Sequence, residues 1–140
     1  MEMALRARKN KKGFTLVEVI VVLVILAILA AILVPSMIGW INKANEKTAV
    51  VEGRTMLVAA QTVVSENYST LGTGAGKTMS DDQKAAVATL ANVGATATTV
   101  EVNNGQVTKM VVTSSAGYTV TYTMTTAGGK MEGNFTVAKP

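Results

Sequence analysis

The chain has 140 residues, room for one domain of modest core plus one further element, and 49% of them are hydrophobic. It contains no cysteine and no histidine, which excludes a disulfide framework, a cysteine-based metal site and a Cys or His nucleophile–base pair. The formal charge of +4 belongs to the first 13 residues, where Arg6, Arg8, Lys9, Lys11 and Lys12 stand against Glu2 alone; the rest of the chain sums to zero, so bulk charge gives little argument for nucleic acid.

In chain order, the basic cluster is followed at once by an apolar run. Residues 14–34 read FTLVEVIVVLVILAILAAILV, with Thr15 and Glu18 the only polar members. As a helix this run is roughly 31 Å long, close to a hydrocarbon core of about 30 Å. It is apolar all round, as a helix is in lipid or inside a bundle. The preceding cations place the N-terminus in the cytoplasm and the bulk of the chain outside. A secretory signal should be shorter and end in an A-x-A-like cut, whereas Ala27, Ala30 and Ala31 never give that spacing. A plain anchor fits the length but leaves Glu18 unexplained, since an acidic group inside a span is expensive.

Lys11-Lys12-Gly13-Phe14-Thr15-Leu16-Val17-Glu18 supplies the explanation. It resembles the processing site of type IV prepilins and of the pseudopilins of related secretion and competence systems: a short basic leader ending in Gly, then Phe, Thr, Leu, an aliphatic residue, Glu and an unbroken apolar helix. The resemblance covers about residues 6–40. It implies that a prepilin peptidase cuts between Gly13 and Phe14 and then methylates the new Phe14 amine. It also implies that Glu18 contacts the N-terminal amine of a neighbouring subunit during assembly. Gly13 has no side chain to obstruct approach to the scissile bond. A lone carboxylate in an apolar site is pushed toward its neutral form, and an adjacent cation reverses this. Glu18 on this reading is a register pin and not a catalytic acid. Pro35 ends the run and is expected to kink the helix there. The family often has a proline at this point with a locally melted stretch before it in assembled filaments, which implies that residues 30–34 lose helix on assembly. Trp40, just past the span, suits either the outer interface belt or packing against the globular part.

The helix is expected to continue over residues 36–68. Val50, Leu57, Ala60, Val64 and Tyr68 follow three-and-four spacing, with Gly53 permitting close approach to a sheet. Lys43, Lys47, Arg54 and Glu66 fall on the opposite, solvated side. Residues 69–80 read as a Gly/Thr-rich connection. Its GAGKT fails as a phosphate-binding loop, because the glycine required at position 71 is Leu71 and the segment follows a helix. Ser80-Asp81-Asp82-Gln83 is a capping box for a short helix to about Ala91, stopped by Asn92 and Gly94. Asp81 and Asp82 fit that first turn better than a calcium site, for which further carboxylates are wanting. Asn67-Tyr68-Ser69 and Asn134-Phe135-Thr136 match the N-glycosylation sequon, a match chance produces often in a Thr-rich chain.

From Gly94 the period becomes two. Residues 98–102, 107–113, 118–125 and 131–137 read as four strands, joined by turns at Asn104-Gly105, Ala116-Gly117 and Gly128-Gly129. Tyr118, Val120, Tyr122 and Met124 share one face, and Met131, Phe135 and Val137 are expected inward on the last strand.

The expected fold is therefore α+β: a leader over 1–13, a transmembrane and polymerisation helix over 14–35, its exposed continuation over 36–68, and a globular part over 69–140 with a four-stranded antiparallel sheet against the helix, a pilin-like layout. The expected function is a structural filament subunit, a type IV pilus-like homopolymer. Its partners would be prepilin peptidase and the pilus assembly machinery, with residence in the inner or cytoplasmic membrane before the cell surface. The alternative is a pseudopilin of type II secretion or DNA uptake. No cofactor, metal or nucleic acid is expected. A membrane-anchored enzyme is the reading from another class, opposed by the missing His and Cys; Ser–Lys chemistry is what it would have to use.

Overall fold

The computed structural model of the protein describes residues 13–127 and 130–140. The basic residues 6–12 of the expected leader and the expected Gly128-Gly129 turn lie outside the described residues. Helix α1 runs over Leu16–Glu66 without a break, 51 residues with Pro35 inside it. The chain divides into two compact units, one ending at Ile41 and the other Asn42–Pro140.

In the first unit every described residue of α1 is exposed, and this is the one described helix long and apolar enough to cross a membrane. In the single chain the helix continues through residues 30–34, the stretch expected to lose helix on assembly. Pro35 carries no amide hydrogen, and the following Ser36 hydroxyl donates to the Leu33 carbonyl at 2.9 Å.

The second unit is an α+β fold. After α1 come α2 (Tyr68–Leu71), β1 (Lys77–Thr78), α3 (Asp81–Ala91) and strands β2 (Thr96–Asn103), β3 (Gln106–Thr113), β4 (Thr119–Ala127) and β5 (Lys130–Ala138). The strands form one antiparallel sheet in the order β1-β2-β3-β4-β5. There are thus five strands where four were expected. The addition is β1, two residues inside the segment read as a connection, with Lys77 opposite Val102 and Thr78 opposite Glu101. Gly/Thr composition hides so short a strand, because nothing in two residues reveals a period.

The buried face of α1 is made by Ala49, Glu52, Gly53, Met56, Ala59, Ala60, Val63 and Val64. Val50 and Leu57 stand at its margin, and Tyr68 is exposed because α1 stops at Glu66 before it. Gly53 does sit against the sheet: a Cβ there would meet Val120 Cγ1 at 2.8 Å. Met56, Val64, Val87, Val100, Val102, Val107, Met110 and Val112 are fully buried and form the centre of the core. Tyr118, Val120 and Tyr122 face inward as expected, Met124 is half-buried and Met131 is 63% exposed. The cover that α1 gives the sheet fades along β4, and Met131 pairs beyond it, opposite Thr126.

Local signals fix the connections. Asn104 and Gly105 both have positive φ (48° and 78°), the geometry of a two-residue hairpin whose twist matches its strands. Ser80 caps α3 in a full capping box: Gln83 N donates to Ser80 Oγ (3.3 Å) and Ser80 N to Gln83 Oε1 (3.0 Å). Asn92 ends α3 in the left-handed conformation.

Candidate processing and assembly site

Gly13, Phe14 and Thr15 precede α1 in non-helical conformation, and Phe14 is 90% exposed. The helix starts after Thr15 because Thr15 caps it. Its carbonyl accepts the first helical bond from Val19 N (3.3 Å), and its hydroxyl oxygen accepts from Glu18 N (3.3 Å). Glu18 reaches back in return, with Oε2 accepting from Thr15 N at 2.9 Å and from the Thr15 hydroxyl at 3.0 Å. This is a reciprocal capping box, T-x-x-E ahead of an apolar run, and it satisfies donors that a helix N-terminus would otherwise leave bare. The signal stands in the sequence at Thr15-Leu16-Val17-Glu18.

The consequence is geometric. A carboxylate four residues into an apolar run is held at the very end of the helix, on two hydrogen bonds from one residue. Phe14 and Glu18 line the same shallow concavity of about 450 Å³ with Val19, Val22 and Leu23. The residue whose amine cleavage would free and the one acidic group of the run therefore open onto one apolar surface. Gly13 is exposed, and among the described residues nothing lies within 4 Å of where a Cβ would stand. Pro35 lies five turns further along the same helix and does not join this site.

In the second unit, side-chain hydrogen bonds fasten the hairpin turns to α1. Glu52, 8% exposed, accepts from both Ser115 N (2.9 Å) and the Ser115 hydroxyl, fastening the β3–β4 turn to α1. Gln61 does the same for the β2–β3 turn, donating to the Gly105 carbonyl (2.7 Å) and accepting from Val107 N (3.1 Å). Neither role was expected. Glu52 falls in phase with Ala49, Met56 and Ala59, so the phase of the buried face pointed to it. Asp81 pairs with Lys84 at 2.7 Å, and that hydrogen bond and charge hold its carboxyl below the usual carboxylate range. Among the described residues no three acidic side chains gather as a metal-binding group.

Comparison with known proteins meets the chain at this end. Residues 8–34 match the family profile described as the prokaryotic N-terminal methylation motif, the cleavage and methylation signal of type IV prepilins and pseudopilins. No curated protein and no solved structure gives a significant match.

Proposed function

From the premise that the methylation motif marks this chain as a type IV pilin/pseudopilin-type protein, we propose that it is the structural subunit of a type IV pilus-like surface filament. The observation that carries the reading is the motif joined to a helix whose apolar first part is wholly unburied in the single chain. Such a surface is stable in lipid or against copies of itself, and the motif supports both in succession. As a precursor the chain sits in the inner or cytoplasmic membrane. Prepilin peptidase removes the leader behind Gly13 and methylates the amine of Phe14. The cut deletes five cations and leaves one, beside an acidic group that needs a partner.

Glu18 then receives the Phe14 amine of a neighbour. The Thr15 bonds keep its carboxylate at the helix end. The apolar helices supply most of the packing and the charge pair sets the register; breaking a buried pair of this kind costs about 3–5 kcal/mol. One heterologous contact repeated without closure generates an open helical filament. The assembly machinery and the homopolymer are the partners on this reading, and the role is structural.

Shearing cells and identifying the dominant filament protein tests the proposal. This chain should be the principal component of the sheared fraction. Confinement to the membrane fraction would replace the pilus subunit with a pseudopilin of a secretion or DNA-uptake system.

A further inference from the structure

Of the four aromatic residues in the unit Asn42–Pro140, Tyr118 and Tyr122 are buried and Phe135 is half-buried. Tyr68 alone is held out, 57% exposed. Three segments meet at its ring: α2, the glycine-rich connection and the β2–β3 hairpin. Leu71, three residues on in α2, is buried in the core and anchors the turn that carries Tyr68. Gly72 is buried and has an ordinary right-handed backbone (φ −76°, ψ −20°) that any residue can adopt. A Cβ there would run into the Tyr68 ring and its carbonyl oxygen. A Cβ at Gly105 would meet Tyr68 Cε2 at 2.9 Å. The Cγ–Cδ2–Cε2 side of the ring thus rests on two positions that lack side chains. That seat is itself clamped, because Gln61 donates to the Gly105 carbonyl (2.7 Å) and Asn104 N to the Gly74 carbonyl (2.9 Å).

We propose that Tyr68 is a stacking platform for a sugar ring, and that the folded unit binds glycans there. A ring already fixed in place loses little freedom when a ligand settles on it. Several ligands stack on aromatic rings, and the surroundings select among them. Lys77 stands at the rim, its ammonium donating to the Thr70 carbonyl, so a cationic ligand meets repulsion. A single-stranded nucleic acid needs a basic groove, whereas this unit carries eight basic and seven acidic side chains. A pyranose presents C–H groups on one face, which suit the negative face of an aromatic ring. Its hydroxyls need uncharged donors and acceptors, and Ser69, Thr70 and Asn104, all exposed, flank Tyr68 and Gly105 in the chain.

The inference does not rest on the filament reading, because the platform lies within the folded unit. Full-length protein extracted in a zwitterionic detergent therefore tests it whether or not cells make filaments; a maltoside is avoided because its headgroup is a sugar. The probes are immobilised oligosaccharides of glucose, galactose, mannose and N-acetylglucosamine, with a single-stranded oligonucleotide beside them. The wild-type chain should bind at least one of the sugars and leave the oligonucleotide unbound. Tyr68→Ala should weaken that binding about tenfold, the loss of one stacking contact, while Tyr68→Phe should keep it. Gly72→Ala, which retains the ring but fills its seat, should also weaken it. With the bound sugar in soluble form, saturating the aromatic protons of the wild-type protein should transfer magnetisation to the sugar C–H protons, a readout that needs no variant to fold. Absence of binding to every sugar, binding unchanged in Tyr68→Ala, or preference for the oligonucleotide would overturn the proposal.

Discussion

Two glutamates of α1 are fixed by the same chemistry to different ends. Glu52 accepts two bonds from Ser115 inside the folded unit, while Glu18 accepts two from Thr15 at an exposed helix end. Glu52→Ala leaves the Ser115 amide without its acceptor at a part-buried site, which costs about 1–3 kcal/mol. Chemical denaturation followed by circular dichroism should show that loss, and Glu52→Gln, which keeps one acceptor, should recover part of it. On the proposed pairing, the cost of losing Glu18 falls on assembly. As a passive feature near the bilayer edge, its removal should be neutral or should ease insertion. As the partner of a neighbour's Phe14 amine, Glu18→Ala should leave cleavage and insertion intact and abolish filaments, scored by electron microscopy of cells expressing only the variant. Normal filaments from that strain would defeat the pairing.

At the scale of elements, α3 shows how a local device acts on stability. Its Asp81 carboxyl is held low by Lys84, so the folded state binds that proton less readily than the unfolded chain. The contribution is complete above the ordinary carboxylate range and is lost as the pH falls through the lowered value. Thermal melts from neutral pH downward should lose stability in that acid window, and Asp81→Asn should remove this part of the slope.

Elements with strong local signals were legible: the apolar run of α1, the Ser80–Gln83 box, the Asn104-Gly105 turn and the alternation of β4 each follow from residues near in sequence. Strand β1 was not, because two residues carry no period and its pairing with β2 is set from more than twenty residues away. Met131 lies on the inner face, as alternation implies, and is exposed there because alternation says nothing of how far the covering helix extends. In the candidate site Gly13, Phe14 and Glu18 were readable as a motif. The T-x-x-E pattern signals the capping box that joins Glu18 to Thr15, and the hydrogen bonds show that it forms.

For the whole molecule, one end carries the methylation motif and the other is built to stay folded. The unit Asn42–Pro140 carries its own core and clamps both of its first hairpin turns to α1 through Gln61 and Glu52. The exposed apolar helix before it has no such core and depends on lipid or on other subunits. On the proposed reading, processing turns the first state into the second, so the central claim rests on the Gly13–Phe14 bond. Intact-mass and peptide mass spectrometry of the chain from cells tests it most directly. The account predicts a mature protein that begins at Phe14 and bears an N-methyl group; an intact leader from Met1, or a cut beyond Val34, would contradict it.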